Sequence, residues 1–165
     1  MGSNETKKIK AAITAVGGFV PDDFISNKDL EEMVDTNDEW ITARTGIKNR
    51  RILKTKNKAT SYLASNAALD LFKKKETDPS SIDLVLLATI TPDFQCASTA
   101  PTVASDIKAI NAYAYDISAA CSGFLYAMST ATSYIESGRY KKILVIGADM
   151  MSSIVDYNDR STSIL

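Results

Sequence analysis

An α/β fold with a mostly parallel sheet is what this sequence predicts, and three observations carry that expectation. Apolar runs of strand length recur at 84–89 (LVLLAT), 112–117 (AYAYDI) and 143–147 (ILVIG). Segments with helical spacing of apolar residues separate them. The first and last runs are nearly continuous in apolar side chains, as expected for strands covered on both faces. Strand and helix in alternation lead to a parallel sheet with crossover helices.

The elements follow in order. Residues 9–19 (IKAAITAVGGF) alternate loosely and end in a Gly pair, which reads as a first strand. A short helix follows, with Ser26 or Asn27 as its cap and Asp29, Glu31 and Glu32 favouring its positive end. A second short helix opens on Thr36 or Asn37 and stops at Gly46. Residues 47–53 read as a strand or extended loop. Thr60 or Ser61 caps a helix to about Lys75, with Leu63, Ala67, Ala68, Leu71 and Phe72 as its stripe and three lysines at its negative end. Asp78-Pro79-Ser80-Ser81 is a turn, and a helix is expected near 99–109. The longest helix is expected from Cys121 to Gly138, with Phe124, Leu125, Met128, Ala131 and Ile135 as its apolar stripe. A mostly polar loop occupies 152–163, after which Ile164-Leu165 reads as the start of another strand. The expectation from that ending is a truncated or divided polypeptide, since a terminus more often frays in polar residues.

The 165 residues suffice for one domain with a sizeable core. With 19 Lys+Arg against 20 Asp+Glu the net charge is −1, which argues against nucleic acid or an anionic membrane as a bulk partner. No apolar stretch reaches the roughly 20 residues of a membrane span. Two cysteines, Cys96 and Cys121, are too few for a disulfide framework, so the expected setting is cytoplasmic with free thiols. No metal-ligand cluster and no phosphate-loop motif occurs, so no metal and no permanently bound cofactor is expected. The chain contains no histidine. Any step that needs an imidazole must draw it from elsewhere.

The strongest chemical signal is the run DISAACSGF, which places Cys121 after a buried strand and at the first turn of a helix. The N–H groups of a helix amino terminus favour a negatively charged sulfur and can hold an oxyanion on an attacked thioester. The competing reading is a buried structural cysteine, since Cys121 lies in line with Leu125 and Met128 on the apolar stripe. Trp40, the single tryptophan, has Arg44 one helical turn later. Together they form either a platform for a planar ligand or a core plug beside a solvated charge. Arg160, taken alone, is an ordinary loop arginine.

Four runs, TNDEWITARTGIKNRRI (36–52), DISAACSGFLYA (116–127), ILVIGADMMS (143–152) and DYNDRSTSIL (156–165), resemble the β-ketoacyl-acyl-carrier-protein synthase III family in order and spacing. The resemblance covers the chain from Ile9 onward. It implies a thiolase-like fold, of which residues 9–165 are the amino-terminal half-domain of an αβαβα layered architecture with a mixed, mostly parallel sheet. That half-domain follows a flexible 1–8 and lacks its last strand and the carboxyl-terminal half. It implies an acyltransferase that condenses an acyl-CoA with malonyl-acyl-carrier protein at the start of fatty-acid synthesis. Cys121 would carry the acyl group, and its backbone N–H would join the oxyanion hole. Trp40 and Arg160 would sandwich the adenine of CoA, and Thr36 and Arg44 would contact the nucleotide. The second half would supply a catalytic His and Asn, and the enzyme would be a homodimer. Cys96 stands where many members carry a bulky residue of the partner's acyl pocket, and would leave that pocket roomier. Another thiolase-fold synthase (polyketide, hydroxymethylglutaryl-CoA or ketone-forming) and a non-catalytic CoA-binding fragment are the alternatives.

Overall fold

The computed structural model describes residues 8–164. It divides into two compact units, one built from the segment up to Phe19 with Thr60–Asp149, the other from Val20–Ala59 with Met150–Leu165.

The first unit is a three-stranded parallel sheet between helical layers. Strands β3 (Leu84–Ala88), β4 (Tyr113–Ile117) and β5 (Ile143–Gly147) lie in the order β4-β3-β5. β3 pairs with both neighbours in full register, so Ala88, Ile117 and Gly147 end level with one another. All five residues of β3 are buried, because alternate side chains feed cores on opposite faces. Val85 and Leu87 pack with Ala64, Ala68 and Phe72 of α3 (Thr60–Lys75) and Val103 of α4 (Ala100–Asp106). Leu84, Leu86 and Ala88 face Ala127 and Ala131 of α5 (Gly123–Glu136).

Helix ends in this unit are held by side chains from other elements. Asp93 accepts the Ser61 N–H at 3.0 Å, closing the start of α3. Asp116, from inside β4, accepts the N–H groups of Thr99 and Ala100 at 2.6 and 2.7 Å and so caps α4. Three expectations change here. The longest helix is α3 with 16 residues, because α5, with 14, begins at Gly123 after a separate turn. The buried face of α5 is Gly123, Ala127 and Ala131, while Phe124 and Leu125 are exposed: small residues permit close approach to the sheet. Residues 9–19 form no strand. They run along α3 instead, with the Gly18 N–H on Asp70 at 2.9 Å and Phe19 edge-on to Tyr62 at 5.8 Å. Gly17 permits that approach, since a Cβ there would stand 2.6 Å from the Leu71 nitrogen. The apolar side chains Ile13 and Val16 remain exposed, so alternation without a neighbouring strand yields no ladder.

The second unit is small. β1 (Phe24–Ser26) pairs antiparallel with β2 (Asn49–Arg51). Ser26 caps α1 (Asn27–Glu31) in a reciprocal capping box with Asp29. Asn37 caps α2 (Asp38–Thr45), accepting the Trp40 N–H at 2.8 Å, and Gly46 ends it in the left-handed conformation at φ 71°. Asp159 caps the single turn α6 (Arg160–Ser163). Ile164 is the helical C-cap residue of α6 and not the start of a strand; Leu165 lies outside the described residues, as do residues 1–7 of the flexible terminus expected over 1–8.

Candidate active site

Cys121 is brought to the surface by a strained turn. β4 ends at Ile117, and a single 3-10 turn, Ala120–Ser122, intervenes before α5. Ala120 sits at φ 45°, a region costly for any residue with a Cβ. The turn is closed by the Ser122 N–H on the Ala119 carbonyl at 3.1 Å. Cys121 is thus in the turn ahead of α5 and not in its first turn, a correction to the sequence expectation. It is exposed, so the buried structural reading does not describe it. α5 has no side-chain cap at Ser122, which leaves first-turn N–H groups to be satisfied by something else.

Around the sulfur lies a recess of about 200 Å³ lined by Ala88, Ala120, Cys121, Phe124, Gly147, Ala148 and Asp149. Its walls come from the level carboxyl ends of β3 and β5, the place where open parallel sheets present ligands. Two glycines set its dimensions. A Cβ on Gly123 would stand 3.3 Å from that of Ala88, so α5 rests on β3 as closely as it does only because Gly123 has none. A Cβ on Gly147 would stand 3.1 Å from Phe124 Cδ2, so the ring that lines the recess would have to shift. The Asp149 carboxylate accepts from the Ile90 N–H at 2.8 Å and from the Thr89 and Thr91 hydroxyls at 3.0 and 3.3 Å, tying the loop after β3 to the loop after β5. Ala88, Gly147 and Asp149 of the lining receive no site role from the sequence. The one signal among them is an acid two positions after the apolar strand 143–147.

The second unit holds the other candidates together. Trp40 and Arg44 are one turn apart on α2, with the Arg44 guanidinium carbon 4.3 Å from the indole centroid. Arg160 reaches the same ring from α6 at 4.8 Å. Trp40 is half-buried and both arginines are exposed, so the indole is not a core plug. An aromatic ring inserted between Trp40 and Arg160 needs two contact gaps of about 3.5 Å. Arg160 therefore has to swing outward to admit one. The Thr36 hydroxyl is shielded and has no hydrogen-bond partner among the described residues. Cys96 is exposed in the loop between β3 and α4, two residues from the exposed Phe94. The described residues contain no cluster suited to a metal ion, and no described helix is long and apolar enough to cross a membrane.

The family model for 3-oxoacyl-(acyl-carrier-protein) synthase III matches residues 115–165, the stretch from the end of β4 through Cys121 to α6. The chain is 55% identical over 157 residues to β-ketoacyl-(acyl-carrier-protein) synthase III of Chlorobium chlorochromatii, an alignment that covers 95% of this chain and 48% of that protein. It is 52% identical to synthase III 2 of Bacteroides thetaiotaomicron, over 94% of this chain and 47% of that one. The chain belongs to the β-ketoacyl-acyl-carrier-protein synthase III family. It spans about half the length of the curated relatives it matches and corresponds to the amino-terminal half of the family. The crystal structure of the Aquifex aeolicus 3-oxoacyl-(acyl-carrier-protein) synthase III superposes with a TM-score of 0.86 at 47% identity, over 96% of this chain and 49% of that one. A priming β-ketosynthase from a polyketide biosynthetic pathway superposes at 0.90 with 32% identity, over all of this chain and 49% of its own. The fold is accordingly the thiolase-like α/β fold that the resemblance implied.

Proposed function

We propose that this chain is the acyl-accepting half of a β-ketoacyl-acyl-carrier-protein synthase III that initiates fatty-acid synthesis, with Cys121 as the nucleophile. The observation that carries the reading is the exposed Cys121 on a strained turn before a helix that has no side-chain cap, at the mouth of a small recess. The Cys121 sulfur attacks the carbonyl of an acyl-CoA, a new S–C bond forms, and the bond to the CoA sulfur breaks. The thiol proton leaves with CoA. First-turn N–H groups of α5 and the Cys121 N–H hold the transient oxyanion. The apolar part of the wall, Ala88, Phe124 and Gly147, suits a short acyl chain.

Trp40, Arg44 and Arg160, with Thr36 beside them in sequence, take the nucleotide end of acyl-CoA. Support comes from two guanidinium groups gathered on the chain's one tryptophan. Cations on a half-buried indole suit a ligand that combines a planar base with phosphates. The condensation then proceeds when malonyl-acyl-carrier protein loses CO₂ and its carbanion attacks the acyl carbonyl, releasing the Cys121 sulfur, which regains a proton. Groups to stabilise that carbanion come from the second half, since this chain has no histidine. The working enzyme is a cytoplasmic homodimer with no permanent cofactor. Cys96 leaves room in the partner's acyl pocket.

The polyketide-priming ketosynthase at TM-score 0.90 favours a second reading, in which the same acylated cysteine primes a polyketide and not a fatty acid. The test is β-ketoacyl-acyl-carrier-protein formation by the complete enzyme from acyl-CoA and malonyl-acyl-carrier protein, with and without Cys121→Ala. Product that vanishes in the variant supports the reading. Product formed equally well by Cys121→Ala overturns it.

A further inference from the structure

Beneath the Trp40 platform lies a buried polar network to which the proposed function assigns nothing. Arg50, on β2, is 8% exposed and Asn27, the first residue of α1, is 2% exposed. Arg50 donates from one terminal nitrogen to the Asn27 side-chain oxygen at 2.8 Å, and from the other to the Ile164 carbonyl. The Asn27 amide nitrogen in turn faces three acceptors, Asp38 Oδ1 at 2.7 Å, the Ile47 carbonyl at 2.8 Å and Thr42 Oγ1 at 3.3 Å. The Asn27 backbone N–H adds a bond to the Lys48 carbonyl at 3.1 Å.

The two ends of this network are informative. Asp38 and Thr42 lie on α2, two positions from Trp40 and from Arg44, which is roughly the opposite side of the helix. Asn27 therefore holds α2 from behind the face that carries the indole. Ile164 caps the carboxyl end of α6, one turn beyond Arg160. Its carbonyl is among those a helix end leaves without an internal partner, and the Arg50 guanidinium satisfies it. One guanidinium thus reaches both the support of α2 and the end of α6. The two helices so joined are the ones that bring Trp40 and Arg160 within 4.8 Å.

The arrangement is costly. No carboxylate among the described residues pairs with Arg50, its Nε has no partner among them, and burial works against its charge. A lysine could not replace it, because a single ammonium lacks the planar fork that spans two acceptors. Apolar side chains could fill the space without these losses. What they could not do is fix two helix segments at a set spacing.

We infer that Arg50 and Asn27 are positioning residues for the nucleotide clamp, setting the gap between the Trp40 ring and Arg160 from inside the unit. This rests on Trp40 and Arg160 receiving the nucleotide of CoA, and it adds the pair that determines how tightly they do so. Arg160 is free to swing outward while the Ile164 end of α6 stays anchored. Asn27→Asp separates the two sides of the network: it still accepts from Arg50 but no longer donates to Asp38, Thr42 and Ile47.

The test uses the 165-residue chain, in which Trp40 is the only tryptophan, so its fluorescence reports the clamp directly. Free CoA is titrated into wild type, Arg50→Lys and Asn27→Asp, each checked for folding by circular dichroism, and Cys121 alkylation by iodoacetamide is timed in the same samples. CoA is expected to quench wild type, and both variants to bind it about tenfold more weakly, the scale of a lost buried hydrogen bond. Cys121, in the other unit, is expected to alkylate within about twofold of the wild-type rate. A general folding defect would alter both readouts together, and Asn27→Asp carries the test should Arg50→Lys not fold. Wild-type affinity in the folded variants overturns the positioning role while leaving the nucleotide reading intact. A wild-type chain whose Trp40 does not respond to CoA overturns the nucleotide reading, and the inference with it.

Discussion

At the scale of single residues, Ala120 and Cys121 are a pair. Cys121 stands out in the sequence because a lone cysteine among small residues follows a strand-like run. Ala120 does not, because nothing in an alanine announces a positive φ. The strain at φ 45° is nonetheless what turns the chain so that the sulfur faces the recess. Ala120→Gly removes the steric penalty at an exposed position but frees the unfolded chain. The balance predicts a gain of about 0.5 kcal/mol in stability. The same change loosens the turn, so Cys121 should alkylate several-fold more slowly. Chemical denaturation and timed iodoacetamide labelling check the two halves of that statement; a destabilised variant with unaltered alkylation would count against it. Trp40 shows the reverse case. Its stacking partner Arg44 is legible from i, i+4 spacing, whereas Arg160, 120 positions away, is joined to it only by the fold and was legible only through family resemblance.

Elements that bury a face were read with good fidelity, because burial imposes the periodicity that sequence reading detects. β3, β4, β5 and α3 fall within a residue or two of their expected bounds. The segment 9–19 has strand-like alternation but no strand beside it, and alternation alone does not form a ladder. The start of α5 was misplaced because its 3-10 turn and helix share one continuous run of small residues. α6 lies inside the expected polar loop because it is a single turn, held by a cap and not by an apolar stripe. That cap has a pH signature. Bonds from the Ser161 N–H and hydroxyl, at 2.8 Å each, hold the exposed Asp159 carboxyl below its ordinary pKa. A depressed folded-state pKa means that the contribution is present above the ordinary carboxylate pKa and is lost as the pH falls through the folded value. α6 should therefore release Arg160 in acid, raising Trp40 emission as the guanidinium leaves the ring. Asp159→Asn keeps an acceptor without a titrating charge, so its acid response should be flatter than wild type. Identical titration curves would contradict the assignment of that cap.

For the molecule as a whole, the sequence runs 1–19, 60–149 and 20–59, 150–165 interleave to build two units. No composition shift marks those crossings, which is why a linear reading does not find them. What a linear reading does find is the residues on which the proposed chemistry rests. Cys121, the proposed acyl carrier, belongs to one unit and the proposed nucleotide clamp to the other, each assembled from its own segments. The chain contains no histidine, and acyl transfer to Cys121 is the step proposed for its own residues. The measurement that tests this most directly is to incubate the 165-residue chain with radiolabelled acetyl-CoA and to map the label, using Cys121→Ala as the comparison. The account predicts label on the peptide that carries Cys121, one acyl group per chain at saturation, and none in the folded variant. Label that persists in Cys121→Ala, or a folded wild-type chain that takes no label from acetyl-CoA or longer acyl-CoAs, would contradict it.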